Sequence, residues 1–316
     1  MATVERTVDG TRGRRGEGGR QEGGRYAVDE ALTFRAPLAL DPLIGFLGRR
    51  ALPGVEQVVD GVYHRVLRLP GGPGVVSLGP AAGGGSAPAV ACRLRLGHRR
   101  DRAAAVAACR RLLDLDADPV AVDAALGRDP ALEPLVAACP GRRAPVHVDA
   151  HELAFRAVLG QQVSLAAARR LGGELAALCG EPLTHPVPDA DGGLSTAFPS
   201  AAAVAEADLD RLGMPGTRRA TLRTLASALA GGDIVLGPGA DPDEAERRLL
   251  ELRGIGPWTA AYVRMRGLGD PDVFLTGDVG IRRALDLLGL VGTTGPDERW
   301  RPWRSYAVQH LWASLG

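Results

Sequence analysis

The sequence contains no lysine: all 38 basic residues among its 316 are arginine. A guanidinium group stays protonated in proteins and therefore cannot act as an amine nucleophile. A mechanism that proceeds through a Schiff base on a lysine side chain is excluded for this chain.

Cysteine, long apolar runs and aromatic residues are also scarce. The four cysteines stand far apart, which excludes the paired spacing of a zinc or iron–sulfur site and indicates reduced thiols. They are Cys92, Cys109, Cys139 and Cys179. No apolar run reaches the roughly 18 residues of a membrane helix, and the Arg/Gly-rich N-terminus lacks the apolar stretch of a secretory signal. We therefore expect a cytoplasmic protein with no membrane association and no metal.

Charge is nearly balanced, since 37 acidic residues oppose the 38 arginines and leave a net charge of +1. A net charge this small does not give strong non-specific electrostatic binding to nucleic acid. Any affinity for DNA has to come from a local patch and from backbone amides.

The hydrophobic pattern divides the chain into three segments. Residues 1–25 show no apolar periodicity and are predicted to be disordered. Residues 26–116 combine strand-like alternation with two helices, at 41–50 and about 102–114, which predicts an antiparallel sheet covered by helices on one face. Residues 117–316 are predicted to be helical almost throughout, with a surface loop at 180–199 that is rich in Pro, Asp and Gly. The predicted fold class is α+β.

A Gly-x-Gly-Pro turn stands between two of the predicted helices, at 242–252 and 257–267. Gly254 and Gly256 permit a sharp turn and the close approach of another molecule, and Pro257 suits the first position of the second helix. The turn leaves backbone N–H groups unpaired at a helix N-terminus, where an anion such as a DNA phosphate is favoured. Many such turns only connect two helices, so the surrounding residues have to indicate whether this turn binds another molecule.

Aromatic residues and one carboxylate follow the turn. Trp258 and Tyr262 are four residues apart, so their rings face the same side of the helix, and the three other tryptophans lie beyond residue 299. In a chain with only 4% aromatic residues, this concentration favours a stacking pocket over general packing. Asp278 directly precedes another predicted helix, where it suits an N-cap and where the helix N-terminus favours an ionised carboxylate. The combination points to an enzyme that acts on DNA.

Six short motifs occur in a fixed order along the chain. They are Gly45-Phe46-Leu47, Gln161-Gln162-Val163-Ser164, Leu212-Gly213-Met214-Pro215, Gly254-Ile255-Gly256-Pro257-Trp258-Thr259-Ala260, Asp272-Val273-Phe274-Leu275 and Trp300-Arg301-Pro302-Trp303-Arg304-Ser305-Tyr306-Ala307. Together, across roughly residues 28–315, they resemble the AlkA-type 3-methyladenine DNA glycosylases of the helix-hairpin-helix superfamily. The resemblance implies a small N-terminal antiparallel sheet domain of the TATA-binding-protein (TBP) type, followed by an all-α helix-hairpin-helix glycosylase domain.

The resemblance also implies an activity and its residues. It implies an enzyme of base excision repair, which we expect to be nucleoid-associated, to be monofunctional because lysine is missing, and to be monomeric because one continuous pocket needs only a monomer. Such an enzyme flips alkylated purines of the 3-methyladenine and 7-methylguanine type out of double-stranded DNA and hydrolyses the N-glycosidic bond without a cofactor. Asp278 is then the catalytic carboxylate, and the base pocket is walled by Trp258, Tyr262, Trp312 and Phe46. The residues implied to contact DNA are Gln161, Gln162, Ser164, Gly254, Ile255, Gly256 and Thr259.

Two positions depart from the family pattern, and two alternatives remain open. Family members can carry a leucine where this chain has Gln162, and an aromatic residue where Val279 follows the catalytic aspartate. A glutamine fills the gap left by a flipped base by hydrogen bonding rather than by apolar insertion. The alternatives are a glycosylase for other damaged bases such as hypoxanthine, and a non-catalytic helix-hairpin-helix protein that only binds DNA.

Overall fold

A computed structural model describes residues 20–22, 25–81, 87–187, 193–290 and 296–316. Its first part is a six-stranded antiparallel sheet with the strand order β1-β2-β6-β5-β4-β3 and two helices. The elements are β1 (Arg20–Glu22), β2 (Arg25–Thr33), α1 (Leu40–Gly48), β3 (Glu56–Val59), β4 (Val62–Leu69), β5 (Gly72–Pro80), β6 (Ala89–Leu96) and α2 (Arg102–Leu112).

Both helices cover one face of this sheet, as the sequence predicts. Leu47 of α1 and Cys109 of α2 belong to one buried cluster with Leu94 of β6. The opposite face is partly covered as well, because Val66 of β4 is buried together with Leu194 from the second part of the chain. The centre of the sheet is therefore covered on both faces.

Two details of this part differ from the sequence prediction. Residues 57–69, whose apolar/polar alternation by itself predicts one strand, form two strands, because Asp60 and Gly61 both take positive φ, 49° and 74°, and form the turn of a hairpin. The three residues of β1 pair with β2 although they lie in the segment predicted to be disordered. Residues 1–19, 23 and 24 of that segment lie outside the described residues.

The second part is mainly helical. Its helices are α3 (Pro119–Leu126), α4 (Glu133–Ala138), α5 (Ala150–Leu159), α6 (Leu165–Cys179), α7 (Ala201–Glu206), α8 (Gly216–Gly231), α9 (Pro242–Glu251), α10 (Pro257–Val263), α11 (Val279–Leu287) and α12 (Arg304–Ala313). Helix α10 continues into a π-helical turn over Arg264–Leu268, a feature often found at functional sites. No helix among the described residues is long and apolar enough to cross a membrane.

The prediction of a surface loop at 180–199 is wrong for most of that segment. It contains a hairpin of β7 (Glu181–Val187) and β8 (Leu194–Ala197), which breaks the otherwise helical second part. Prolines and glycines hide strand propensity in this stretch, and the hairpin gains its burial from the sheet of the first part.

A buried ion-pair network joins the two parts. Arg65 of β4 lies 3.1 Å from Glu56 of β3 and 2.9 Å from Glu152 of α5. Arg156 of α5 lies 2.8 Å from Glu56 and 3.0 Å from Glu152. Burial by itself raises the pKa of Glu56 and Glu152, but the two arginines outweigh it and lower both pKa values. Removing one member would leave an uncompensated buried charge, so the network sets how the sheet meets α5.

Candidate active site

Asp278 stands at the N-cap of α11 and accepts three hydrogen bonds. Its Oδ1 accepts from the backbone N–H of Ile281 at 2.9 Å and from the indole Nε1 of Trp312 at 3.1 Å. Its Oδ2 accepts from Nε1 of Trp258 at 2.9 Å. Both carboxylate oxygens are therefore held in place by N–H donors. The N-cap predicted from the sequence is therefore also the point where two indole rings converge.

Four aromatic rings form a continuous group around this carboxylate. Trp258 and Tyr262 stack with centroids 5.2 Å apart at an interplanar angle of 8°. Trp312 is tilted against Tyr262 at 6.4 Å and stacks on Phe46 at 6.4 Å. The ring group combines α1, α10 and α12, so both parts of the chain build it.

A cavity of about 460 Å³ opens beside these rings and is lined by Trp258, Tyr262, Trp312 and Asp278. This volume lies in the range of small-molecule sites. Phe46 does not line it: this ring stacks behind Trp312 and lines a neighbouring cavity of about 440 Å³ instead. Phe46 thus contacts the cavity through Trp312, and its role in the wall of the base pocket stays a prediction.

Three arginines surround Tyr262 and were not predicted as site residues. Burial raises the pKa of this phenol, but Arg266, Arg50 and Arg156 outweigh it and lower the pKa below its usual value. Arg50 and Arg156 line the cavity. One signal could have found Arg50, which follows Phe46 by four residues in the region of α1 and so faces the same side.

The hairpin between α9 and α10 has two glycines with different roles. Gly254 has φ of +93°, and a Cβ atom there would lie 2.1 Å from Oγ1 of Thr221. Gly256 has φ of −98°, and a Cβ atom there would meet nothing within 4 Å. No side chain caps α10. The fold thus requires glycine at Gly254, whereas Gly256 leaves open space in front of an uncapped helix N-terminus.

Gln161 connects the hairpin to the end of α5. Its amide nitrogen donates to the carbonyl oxygen of Gly254 at 2.9 Å and to Oγ1 of Thr259 at 3.1 Å. The side chains of Thr259 and Ile255 are buried, at 4% and 6% exposure. Of these predicted DNA-contacting residues, Gln161 holds the turn in place, whereas Thr259 and Ile255 are buried in it.

The loop between α5 and α6 borders the cavity. Gln162 is exposed and takes a left-handed φ of 55°, while the hydroxyl of Ser164 caps α6 by accepting from Ala167 N–H at 3.2 Å. Val163 and Leu165 line the cavity although they are exposed at 36% and 44%. These two apolar residues beside the cavity were not predicted as site residues.

One buried cluster has the residue types of a metal site. Glu56, His147 and Glu152 bring potential ligand atoms within 4.8 Å of one another. Arg65 and Arg156 already neutralise both carboxylates. The cluster is therefore an ion-pair network and does not fit a cation.

Comparisons with known proteins agree with this architecture. Residues 30–149 match the family model of the AlkA N-terminal domain. The chain is 48% identical over 292 residues to a Mycobacterium tuberculosis protein named "Probable bifunctional transcriptional activator/DNA repair enzyme AlkA", covering 91% of this chain but only 57% of the length of that relative. It is 36% identical over 288 residues to "DNA-3-methyladenine glycosylase 2" of Escherichia coli, covering 90% of this chain and 97% of that protein.

Solved structures show the fold. The 3-methyladenine DNA-glycosylase from Archaeoglobus fulgidus superposes with a TM-score of 0.75 at 20% identity, over 90% of this chain and 97% of that one. A Clostridium acetobutylicum 8-oxoguanine glycosylase/lyase in complex with double-stranded DNA gives 0.69 at 15% identity, over 95% and 97%. The architecture is thus that of the helix-hairpin-helix glycosylases, which confirms the predicted α+β fold class. The chain belongs to the AlkA (DNA-3-methyladenine glycosylase 2) family, as its motifs predicted.

Proposed function

We propose that this protein is a monofunctional DNA glycosylase that removes alkylated purines from double-stranded DNA and so initiates base excision repair. One observation carries the proposal: Asp278 holds its carboxylate between the indole N–H groups of Trp258 and Trp312 at a ring-lined cavity. The names of the M. tuberculosis and E. coli relatives support the same activity. Residues of one chain suffice to line the cavity, so the proposed chemistry needs no more than a monomer.

The chemistry follows from this arrangement. In DNA glycosylases generally, turning a nucleotide out of the stack costs a few kcal/mol. A purine alkylated at N3 or N7 is cationic, and aromatic faces attract it by about 0.5–2 kcal/mol. When the bond between C1′ and the base nitrogen breaks, its electron pair leaves with the base and positive charge develops on the sugar. Ionised Asp278 stabilises that charge, water adds to C1′, and the water proton is released.

The hairpin is the proposed contact to DNA. Backbone N–H groups in the first turn of α10 lack partners within the helix, and the open space at Gly256 admits a phosphate close to them. The C. acetobutylicum structure with the same fold contains double-stranded DNA, which supports this partner. We propose a location on the chromosomal DNA of the cytoplasm.

Asp278→Asn tests the catalytic assignment. Asparagine is also a good N-cap, so the fold is expected to persist while one negative charge is lost. We expect the single-turnover release of 3-methyladenine from methylated DNA to fall by roughly 10²-fold or more, with DNA affinity largely unchanged. Asp286→Asn is the matched control, since Asp286 is exposed on the same helix. Undiminished base release by the Asp278 variant would overturn the assignment.

A further inference from the structure

The neighbouring cavity of about 440 Å³ is lined by arginines and, among the described residues, by no acidic side chain. The arginines that line it are Arg49, Arg50, Arg142 and Arg143. Gly316, the last residue of the sequence, lines it as well, so even a terminal carboxylate there would leave an excess of positive charge. Like charges around one space repel each other, and an anion in that space would offset the repulsion.

Three side-chain donors of this lining have no hydrogen-bond partner within the described structure. They are Nε of Arg142, Nε of Arg143 and Nε2 of Gln309, and all three atoms are buried. Gln309 lies on α12 and is only 4% exposed. Buried polar groups of folded proteins are nearly always hydrogen-bonded, and an unpaired one is costly. A ligand with acceptor atoms would therefore complete this cavity.

Arg143 is fixed in the wall before any ligand binds. Its guanidinium donates, over distances of 2.8–3.2 Å, to the carbonyl oxygens of Arg35, Pro37 and Ala117. Burial lowers the pKa of Arg143 although three carboxylates oppose the effect, those of Asp114, Asp118 and Asp123. None of these three carboxylates lines the cavity. Arg143 thus presents a positive charge in a preorganised position.

Two other segments bring arginines to the same cavity. The carbonyl oxygen of Arg50 accepts a hydrogen bond from Arg156, which Glu56 holds at 2.8 Å, so the turn after α1 is anchored. Arg142 lies near α12, where burial, and then the charge of Arg142, lower the pKa of His310 to about 4. This imidazole is therefore neutral at pH 7, and the positive charge beside it belongs to the arginine.

We propose that this cavity is an anion site that binds a phosphate group separately from the base pocket. Guanidinium groups pair with phosphate oxygens through parallel hydrogen bonds. A phosphate group has more acceptor oxygens than a carboxylate, so it can serve donors that converge from three segments of the chain. The apolar side chains of Leu43, Phe46 and Trp312 also line the cavity, and they suit the uncharged part of a nucleotide.

Two sources can supply this phosphate. The cavity shares Leu165 and Trp312 with the base pocket, so a DNA strand that places a base in one cavity can place one of its phosphates in the other. A free nucleotide or another small phosphate compound is the second source. The DNA source rests on the proposed function, whereas the binding of a free phosphate does not.

Two variants and a matched control test the site. Arg142→Gln removes one charge, and Gln309→Leu removes a buried donor without changing the charge. Arg128→Gln is the control, because Arg128 is exposed and lines neither cavity. Inorganic phosphate is titrated into each protein by isothermal calorimetry, against sodium chloride of equal ionic strength. We expect both site variants to bind phosphate about tenfold or more weakly than the wild type, as for the loss of a charge-assisted hydrogen bond, and the control to match the wild type.

The salt dependence of DNA binding identifies the source of the phosphate. Affinity for an undamaged duplex is measured by fluorescence anisotropy between about 50 and 200 mM sodium chloride. If DNA supplies the phosphate, the slope of log affinity against log salt becomes less steep by about 0.9 in Arg142→Gln but not in the control. An unchanged slope together with weakened phosphate binding assigns the site to a small phosphate compound.

The inference is overturned if both site variants behave like Arg128→Gln in both measurements. Neither measurement involves base release, so a failure of the proposed activity would be seen separately. Circular dichroism establishes that the variants are folded. Gln309→Leu removes a donor that has no partner in the described structure, so it is expected to fold even if Arg142→Gln does not.

Discussion

Gly254→Ala isolates the part of the hairpin that the fold itself requires. In the native turn Gly254 has φ of +93°, and an added Cβ atom would lie 2.1 Å from Oγ1 of Thr221. Thr221 is buried at 7% exposure, and its hydroxyl oxygen lies 3.1 Å from the carbonyl oxygens of both Thr217 and Arg253, which share its one proton. An added methyl group therefore strains the backbone at Gly254 and pushes Thr221 away from its hydrogen-bond partners.

The expected cost follows from these contacts. A residue with a side chain at left-handed φ costs roughly 1–2 kcal/mol. Displacing Thr221 from its carbonyl partners costs about another 0.5–1.5 kcal/mol, the net worth of one hydrogen bond. We therefore expect Gly254→Ala to lower the free energy of unfolding by about 1.5–3.5 kcal/mol, measured by urea denaturation followed by far-UV circular dichroism.

Gly256→Ala is the matched control, two residues away in the same turn. Its φ of −98° suits alanine, and the added methyl group would meet no protein atom within 4 Å. We expect its stability to lie within about 0.5 kcal/mol of the wild type, as for most surface substitutions. Its affinity for duplex DNA should fall about tenfold in fluorescence anisotropy, because the methyl group occupies the space proposed for a phosphate.

Either half of this comparison can fail separately. A Gly254→Ala protein as stable as the wild type would refute the packing argument for the turn. A Gly256→Ala protein with full DNA affinity would refute the assignment of the hairpin as a phosphate contact, and would leave the assignment of Asp278 untouched.

The remaining predictions concern pH and covalent chemistry. Burial raises the pKa of Asp114 to about 6, so its contribution to stability is complete below about pH 4 and is lost as the pH rises past 6. Asp114→Asn keeps an acceptor for Tyr306 but cannot ionise. Its free energy of unfolding in urea denaturation should therefore rise relative to that of the wild type by about 2–3 kcal/mol between pH 4 and pH 7. A difference between the two proteins that does not change with pH would contradict this. Separately, borohydride should trap no adduct between DNA and a side chain, because no lysine is present; a trapped side chain would disprove monofunctional chemistry.

Much of the candidate site could be predicted from the sequence because its signals are local. The turn at 254–257, the N-cap at Asp278 and the pair of Trp258 and Tyr262 each depend on residues within one or two helical turns. The observed helices α9, α10 and α11 begin or end within a few residues of the predicted ones. Helix periodicity, proline at the first helical position and capping side chains act over that range.

Only the tertiary structure decided which distant residues complete the site. Arg156 meets Glu56 across 100 positions of sequence, and together they hold the backbone of Arg50. Phe46 stacks on Trp312 from the far side, and the amide nitrogen of Gln161 donates to the turn. The strands β7 and β8 form where a loop was predicted, because the sheet buries them.

The sequence by itself determined the local elements, the carboxylate and the absence of an amine nucleophile. These properties depend on residue type and on short spacing along the chain. The surroundings of the pocket, with its arginines and its second layer of rings, depend on how the sheet packs against α5 and α12. That packing is set by burial and charge pairing between residues far apart in sequence, and no local pattern encodes it.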